Sequence, residues 1–397
     1  MSFITSLGTY LPRWGSEHTR EPGADEDAVT LAVEAGRAVR PEGAAIVRVV
    51  LVTRDIPLLE GGSAAVLLAG LGLDPDTEVT ESLGGAPAVL DAIVGARPHT
   101  LVIAVDLAPA GAAAALVGDT GLAIRPIARL ARSLPTRARD GSGTLHDYGD
   151  PRLLRERGVL ESLRIVTTDK PRVIVGVDHK LATSLCDGVI PRLPTTGASA
   201  ALFALAWMSE TTTRGQLIGV EQATITGVAV DSGSIPVHRN EPAPHPKSKV
   251  VRAPGLDIPI SLAAYDRAFT AKLRWQASRD PNTGELDFPP RLRVDDNGHL
   301  ITGAELVPLP RTGTVYTIAT MHVPVPGLDS PYALVIVELD EVGVRALVKI
   351  TGTEAGSVAI GDRGRLVLRR VAIRSGIPDY GYAFQPKTSK TTQEEAA

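Results

Sequence analysis

Short apolar runs alternate with helical patterns along the first 235 residues, and this alternation constrains the fold more than any other feature. Acidic residues open the stretch 24–40, apolar residues then follow at helical spacing, and the pattern predicts a helix. Two apolar runs, 45–53 and 99–108, predict buried strands, and the small-residue stretches 62–73 and 83–96 predict helices between them. Strands and helices in this order predict a parallel sheet covered by helices.

A similar pattern recurs later in the same region. Residues 172–178 predict a strand, residues 196–210 a helix, and residues 215–230 a strand or a pair of strands. Two such halves predict a layered α/β domain with a pseudo-duplicated architecture over residues 1–235. The residues that follow, 236–262, are rich in proline and charge, which predicts a linker.

The character of the sequence changes after this linker. A helical pattern comes first, and short β runs separated by glycine and proline follow: GTVYTIATMHV, PYALVIVELDE, VRALVKITG and RGRLVLRRVAI. Short strands at turn spacing predict a small all-β barrel or sandwich within residues 263–387. The polar residues 388–397 predict a disordered tail.

Composition excludes several classes of protein. A single cysteine, Cys186, excludes an internal disulfide and any metal site built from several cysteines. A net charge of −4 gives no basic field that would attract nucleic acid or an anionic membrane. The N-terminal residues lack a cationic leader, and no apolar run is long enough to span a bilayer. We therefore expect a cytoplasmic protein with neither nucleic acid nor membrane as a partner.

Residues 79–90, VTESLGGAPAVL, bring together a strand end, a Gly-Gly turn and the start of a helix. Such a junction suits a nucleophile, because the turn exposes one side chain and the helix N-terminus stabilises negative charge beside it. Ser82 is the candidate nucleophile of this stretch. A serine attacks only with a strong base beside it, because an alcohol ionises far less readily than a thiol.

Several motifs carry a family resemblance. The segments ITSLGTYLPR, DEDAVTLAVEAGRAV and TGASAALFALAW, the last followed by GQLIGV, resemble the thiolase superfamily, in particular its hydroxymethylglutaryl-CoA synthase and ketoacyl-ACP synthase III branch. The segments LDFPPRLRV, LVPLPRTGTVYT, PYALVIVELDE, IGDRG and GYAFQP, in this order, resemble the acyl-CoA-associated OB-fold domain of the DUF35 type. The resemblance implies a shortened thiolase-like layered α/β fold, with two β-α halves, followed by a small OB-fold barrel.

The resemblance also implies where a catalytic site would lie. In this family a cysteine begins the turn into the helix, and Ser82 occupies that position. An asparagine normally precedes the T-G-A-A-S helix, and Thr195 stands in its place. His179, in VIVGVDHKLA, is the nearest match to the family's histidine, but the usual proline context is missing. We expect these three residues to line a vestigial catalytic site.

The OB-fold domains of this type usually carry a zinc ribbon with two CxxC pairs. The corresponding turns here are DPNTG and VDDNG, with Asp280, Thr283, Val294 and Asn297 at the four ligand positions. Zinc needs about four soft or borderline ligands, and no sulfur is present, so we expect no zinc. Asp, Asn and Gly favour tight turns on their own, which accounts for the remaining turn pattern.

Other residues have two interpretations each. Cys186 is either reactive or, as we favour, a buried structural cysteine. His146 is either an acid–base group or, as we favour, part of a surface turn. The arginines of residues 128–140 either contact a CoA phosphate or form the solvated face of a helix. The helix at residues 62–73 either lies at a dimer interface or packs on the sheet.

These features lead to the hypothesis of an accessory subunit, a degenerate thiolase-like domain fused to a zinc-free OB domain. Its expected partner is a catalytic thiolase-fold subunit or a second copy of itself. The complex would act on a coenzyme A thioester, with no permanently bound cofactor, in acyl transfer or in making or breaking a C–C bond. Two alternatives stay open: a self-sufficient hydroxymethylglutaryl-CoA synthase or ketoacyl synthase-like acyltransferase, and an acyl-CoA-binding scaffold protein.

Overall fold

The structure is a computed structural model. It describes residues 1–39, 45–58, 60–134, 136–142, 144–167, 169–247, 250–252, 254, 259, 261–291, 294, 297–300, 302–323 and 329–387. The chain divides into two compact units. The first comprises Met1–Pro22 and Asp27–Pro246, and the second comprises Gly23–Glu26 and Lys247–Ala397. The predicted tail, 388–397, lies outside the described residues, as does part of the predicted linker.

The first unit contains fourteen strands among its described residues. They are β1 (Ser2–Tyr10), β2 (Trp14–Gly15), β3 (Arg20–Glu21), β4 (Arg48–Thr53), β5 (Glu78–Ser82), β6 (Thr100–Leu107), β7 (Ala110–Gly118), β8 (Leu122–Ala131), β9 (Arg137–Arg139), β10 (Leu145–Asp147), β11 (Val173–Val175), β12 (Gly215–Glu221), β13 (Thr224–Val230) and β14 (Val237–Asn240). Its helices are α1 (Ala28–Val39), α2 (Ala64–Leu71), α3 (Ala86–Val94), α4 (Pro151–Leu153), which continues into a π-helical turn (Leu154–Leu160), α5 (Glu161–Val166), α6 (His179–Leu185) and α7 (Ala200–Glu210).

One ten-stranded sheet organises this unit. Its order is β11-β12-β13-β8-β1-β7-β6-β4-β5, and β14 also pairs with β1. The β4 strand is parallel to both β5 and β6, as expected for strands joined by helical crossovers. The hairpins β6–β7 and β12–β13 are antiparallel, so the sheet is mixed.

Helices cover the sheet in layers. The α1 helix packs against β1, β6, β7 and α2, whereas α3 packs against β12 and β13 as well as β4, β6 and α7. Because α3 contacts strands from distant parts of the path, the sheet curls around it. Along β11 and β12, Val173 and Leu217 face the α3 side, and their neighbours Ile174 and Ile218 pack in a second core with α5 and α6. This layered α/β unit with two halves confirms the predicted fold class.

Two segments of the first unit differ from the sequence expectation. A helix is wrong for residues 128–140: β8 runs to Ala131, and residues 137–139 form β9. Pairing with β13, from Ile124↔Val230 to Ala131↔Thr224, imposes extended backbone on this arginine-rich stretch. Residues 237–240, which the sequence placed in a linker, form β14 alongside β1.

The second unit contains the barrel. Its elements are β15 (Val251–Arg252), α8 (Leu262–Arg274), β16 (Gln276–Arg279), β17 (Leu286–Asp287), β18 (Glu305–Pro308), β19 (Thr312–Met321), β20 (Asp329–Ser330), β21 (Tyr332–Leu339), β22 (Arg345–Ile350), β23 (Arg363–Arg374) and β24 (Ile377–Pro386). The strands β19-β21-β22-β24-β23 close into a barrel, which confirms the predicted all-β domain. The strands β17-β16-β18 form a separate small sheet at the position of the ribbon remnant.

A short segment from near the N-terminus completes the second unit. The backbone N–H of Arg370, on β23, donates to the carbonyl of Asp25 at 2.8 Å. The side chain of Arg369 is 1% exposed and lies 3.4 Å from the Glu26 carboxylate, which is 5% exposed. Arg369 Nε also donates to Thr351 Oγ1 at 3.2 Å. A buried ion pair therefore joins this segment to the barrel strand β23.

Candidate functional site

The carboxyl ends of three parallel strands form one edge of the sheet in the first unit. Ser82, the last residue of β5, pairs with Val52 of β4, and Val52 pairs with Ala104 of β6. Arg54 follows β4 directly, and Asp106 lies two residues beyond Ala104. Ligands of α/β sheets bind at such carboxyl edges, so the candidate site is built from this edge and the helices that begin there.

The N-terminus of α3 is occupied by a carboxylate from another strand. Gly85 is the N-cap residue of α3, and its N–H donates to Glu221 Oε2 at 2.7 Å. The other oxygen of Glu221 accepts from Arg54 Nε at 2.7 Å. Helix N-termini attract anions because their N–H groups lack partners within the helix. The chain therefore fills this anion position with its own Glu221.

The N-terminus of α7 is occupied in the same way. Asp106 Oδ1 accepts from the N–H of Ala198 at 2.8 Å, and Oδ2 accepts from the N–H and Oγ of Ser199 at 2.9 and 2.6 Å. Burial raises the pKa of the Asp106 carboxyl group, and its hydrogen bonds to Ser199 and Ala198 and the charge of Arg54 oppose that rise. Arg54 thus lies near both carboxylates, which makes the two helix N-termini parts of one polar site.

Thr195 belongs to this polar site. Its Oγ1 lies 2.8 Å from Ser199 Oγ, which in turn donates to Asp106, and Thr195 is buried. Gly197, in the same turn, approaches the Asp106 carboxylate so closely that a Cβ there would overlap the carboxylate oxygen. The small residues of the T-G-A-S segment therefore bring backbone N–H groups onto a buried carboxylate.

The structure places Ser82 and His179 in different settings. Ser82 is half-buried, three residues before Gly85, whereas His179 is the first residue of α6 and is exposed. Within the described residues, no hydrogen bond joins the side chains of Ser82, His179 and Thr195 to one another, and neither Ser82 Oγ nor the His179 ring has a hydrogen-bond partner. The assignment of these three residues to a vestigial catalytic site stays a prediction.

This arrangement has a direct chemical consequence. Attack on a thioester produces an oxyanion, and enzymes stabilise it with free N–H donors aimed at the developing charge. Here the Gly85 N–H, which lies close to Ser82 in sequence, already binds the Glu221 carboxylate. A second negative charge at this point would be repelled by Glu221. The geometry therefore disfavours an anionic intermediate at the α3 N-terminus.

Three residues of the site were missed by sequence reasoning: Arg54, Asp106 and Glu221. They lie on or directly after strands β4, β6 and β12, which are far apart in the chain. A signal was present, because each charged residue ends an apolar run: VVLVTR, LVIAVD and LIGVE. A charged side chain in that position marks the carboxyl edge of a buried strand, where functional residues concentrate.

The remaining candidates lie outside this polar site. Cys186 is buried and burial raises the pKa of its thiol, as expected for a structural cysteine. His146 lies in the exposed hairpin β9–β10, where its Nε2 is 2.8 Å from Asp140 Oδ2. This hydrogen bond, followed by the one from Ser142, lowers the pKa of Asp140 to about 2. The α2 helix packs against α1, with Leu67 and Leu71 buried.

The ribbon remnant keeps its first turn. Asp280 Oδ1 accepts from the N–H groups of Asn282 and Thr283 at 2.8 and 3.0 Å, and Gly284 has a φ of +74°. Across the described part of the chain, no group of three or more His, Cys, Asp or Glu residues is placed to hold a metal ion. The absence of zinc stays a prediction. None of the helices in the described ranges is long and apolar enough to cross a membrane.

Residues 306–369 match the family model of the C-terminal OB-fold domain of ChsH2. These residues span strands β19, β21 and β22 and most of β23, so the match falls on the closed barrel. No curated protein matches the chain.

Several solved structures are similar to the chain. 3-Oxoacyl-(acyl carrier protein) synthase III from Pseudomonas aeruginosa PAO1 is 15% identical with a TM-score of 0.45, and the match covers 59% of this chain and 98% of that one. PksG, an HMG-CoA synthase from Bacillus subtilis, is 16% identical with a TM-score of 0.45 and coverages of 59% and 79%. The Ltp2-ChsH2(DUF35) aldolase is 23% identical, with a TM-score of 0.26 and coverages of 34% and 98%. These resemblances concern the fold alone.

Proposed function

We propose that this protein is a non-catalytic accessory subunit of an acyl-CoA-dependent complex that transfers an acyl group or makes or breaks a C–C bond. Its partner would be a thiolase-fold chain that keeps its own catalytic cysteine. The combination of a thiolase-like unit with a ChsH2-type barrel supports the class of chemistry. The Glu221 carboxylate bound at the N-terminus of α3 supports the accessory role.

The observation that carries this proposal is the hydrogen bond from the Gly85 N–H to Glu221. A self-sufficient enzyme with Ser82 as its nucleophile needs a base for the hydroxyl and donors for the oxyanion. Ser82 Oγ contacts no base within the described residues, and the nearest helix N-terminus holds a carboxylate that is ion-paired to Arg54 at 2.6 Å. Among the residues that the structure describes, neither requirement is met at Ser82, which supports the accessory role.

A place for a partner is available beside the same turn. The β5 strand is the last strand of the sheet path, and within the described residues no strand pairs with its outer edge. Leu83, directly after it, is 72% exposed. An unpaired strand edge readily accepts a strand from another chain, and an exposed leucine adds apolar contact. We place the partner's docking edge along β5.

Native mass spectrometry of the untagged protein, purified from its own cells, tests the accessory role first. The expected result is a complex with a second thiolase-fold chain. A homodimer that turns over an acyl-CoA by itself would refute the accessory role.

The second test uses Ser82→Ala in that complex, with Ser184→Ala, an exposed serine of α6, as the matched control. Both variants should keep acyl-CoA turnover within about twofold of wild type. Loss of a true nucleophile lowers kcat by about 10³-fold or more. Such a loss in Ser82→Ala alone would identify Ser82 as a nucleophile and refute the non-catalytic role.

The docking edge is tested with Leu83→Asp. Val189→Asp is the control, because Val189 is 83% exposed and lies elsewhere in the same unit. Leu83→Asp should abolish co-purification of the partner while circular dichroism stays unchanged, and Val189→Asp should retain the partner. Equal retention by both variants would exclude the β5 edge as the interface.

A further inference from the structure

The stretch of chain that forms the open edge of β5 differs in charge from the chain as a whole. The whole chain carries 45 acidic and 41 basic side chains, which is nearly even. Residues 54–83 run from the end of β4 through α2 and β5 to Leu83, and they carry six acidic side chains but only one basic side chain. This stretch is therefore acidic within a chain that is close to balanced.

Arginines neutralise only part of this charge. Four of them reach the stretch through an ion pair or a hydrogen bond, or belong to it: Arg37, Arg48, Arg54 and Arg97. Two of the four share Glu78, at 3.2 and 2.6 Å, and a third is paired with Glu221. With Glu221 counted, seven carboxylates and four guanidinium groups leave a net charge of about −3. Five of these carboxylates have no ion pair within the described residues: Asp55, Glu60, Asp74, Asp76 and Glu81.

The carboxylates without an ion pair lie at both ends of β5. At the carboxyl end, Glu81 belongs to the strand itself. A Cβ on Gly62 would lie 3.0 Å from Glu81 Oε1, so the loop that holds Glu60 lies against this end. At the amino end, Asp74 and Asp76 belong to the turn directly before the strand. The side chains of Glu60, Asp74 and Asp76 are exposed.

This distribution of charge opposes pairing of the edge with a second copy of the chain. Two copies related by a two-fold axis would pair their β5 edges antiparallel, which sets the carboxyl end of one strand beside the amino end of the other. Glu60 and Glu81 of one copy would then meet Asp74 and Asp76 of the other. Like charges set opposite each other destabilise strand pairs and interfaces. The occupant that fits this edge is therefore a different chain with basic side chains.

We propose that the β5 edge receives an extended strand of a different chain, and that this strand carries lysine or arginine near both of its ends. The backbone groups of the open edge supply the hydrogen bonds, and the exposed Leu83 supplies an apolar contact. The basic side chains meet the acidic ends of β5, which selects this partner over a second copy. The inference rests on the accessory role proposed above, because both take the partner to be a different chain.

Reversal of charge at both ends of β5 tests the proposal in the complex. Glu60→Lys with Asp76→Lys changes one exposed acid at each end and leaves β5, Leu83 and the polar site unaltered. Biolayer interferometry measures the dissociation constant between each full-length variant and the isolated partner subunit. The constant should rise about tenfold or more in 50 mM NaCl but less than about threefold in 500 mM NaCl, because salt screens exposed charges.

Asp169→Lys with Asp187→Lys is the matched control. It makes the same change of charge with exposed residues near β11, at the opposite end of the sheet path. Its dissociation constant should stay within about twofold of wild type in both salts. A complex that forms but keeps its affinity in the edge variant, or loses as much affinity in the control, would overturn the inference and leave the accessory role standing.

Sedimentation velocity of the isolated full chain tests the exclusion of a second copy without any partner. The wild-type chain should form no dimer that Leu83→Asp dissociates. Such a dimer, if it does not turn over acyl-CoA, would overturn this inference but not the non-catalytic role. Turnover of acyl-CoA by the isolated chain, or the absence of a thiolase-fold partner in native mass spectrometry, would overturn the accessory role and with it the basis of the inference.

Discussion

Replacing Glu26 with glutamine is expected to destabilise the second unit by about 3 kcal/mol. The change keeps the shape of the side chain but removes the charge that faces Arg369 at 3.4 Å, where the two side chains are 5% and 1% exposed. At that separation and an effective dielectric constant of about 20, the Coulomb attraction is about 5 kcal/mol, which sets the upper limit. Breaking a buried pair by removing one partner usually costs about 3–5 kcal/mol.

Equilibrium urea unfolding, followed by the fluorescence of Trp275, measures this effect. Trp275 is buried in the second unit and packs against Phe288 and Tyr382, so its emission reports on that unit. Trp14 and Trp207, which lie in the first unit, are replaced by phenylalanine in the background protein. The quantity compared is the free energy of unfolding of each variant in that background.

Glu338→Gln is the matched control. It removes one charge from an exposed pair of the same barrel, in which Glu338 and Arg345 are 2.8 Å apart and each 48% exposed. That loss should stay below about 1 kcal/mol, because water screens exposed pairs. The double variant Glu26→Gln with Arg369→Met should regain about 1 kcal/mol or more over Glu26→Gln alone. If Glu26→Gln costs no more than the control, burial of this pair has no bearing on stability.

Three further predictions concern the first unit. Burial raises the pKa of Asp106 in the folded protein, so the folded state binds the proton of this carboxyl group more tightly than the unfolded state does. The free energy of unfolding should therefore fall as pH rises above about 4, the ordinary pKa of this group. Asp106→Asn should lack this component, so its unfolding free energy should change less between pH 4 and pH 7 than that of wild type. Gly197→Ala should cost about 2–3 kcal/mol in thermal or urea unfolding through overlap with Asp106, whereas Gly141→Ala, with open space around it, should be neutral. His146→Gln should raise the pKa of Asp140 from about 2 toward its ordinary value, read from the pH titration of its carboxyl carbon in NMR; an unchanged value would exclude His146 as the cause.

The spacing of apolar residues predicted those helices and strands whose buried faces follow the same spacing. The α1 helix, the strands β4 and β6 and the hairpin β12–β13 all appear where apolar spacing placed them. Each of these elements buries either one continuous stripe or both of its faces. The apolar residues of the local sequence therefore mark the side chains that enter the core. The barrel strands followed the same rule, because β21 alternates buried residues with half-buried or exposed ones along its length.

Contacts between distant parts of the chain set the conformation of the elements that local sequence patterns did not predict. The run AGAAAALVG forms strand β7 between β1 and β6, buried in all but its last residue, although alanine alone favours helices. Its small side chains lie where α1 packs on the sheet, and a neighbouring strand shows the same close packing: a Cβ on Gly8 of β1 would lie 2.6 Å from the Val39 backbone nitrogen. Pairing on both sides sets the backbone of β7, and no short window of sequence carries that information.

The sequence predicted where the candidate site lies, but it did not predict which charged residues form it. The turn after Ser82 and the helix start after Thr195 were found from sequence, because both use small residues at helix N-termini. The carboxylates of Asp106 and Glu221 come from strands about 115 residues apart, and only the curled sheet brings both of them near Arg54. Sequence spacing does not encode that curvature.

The position of Glu26 in the chain has a consequence for biosynthesis. About 340 residues separate it from Arg369, its ion-pair partner in the second unit. At synthesis rates of about 5–20 residues per second, a ribosome needs on the order of 20 to 70 seconds to make that stretch. The segment Gly23–Glu26 is therefore made long before the barrel strand that it joins, and a fragment that starts at Lys247 would lack this part of the second unit.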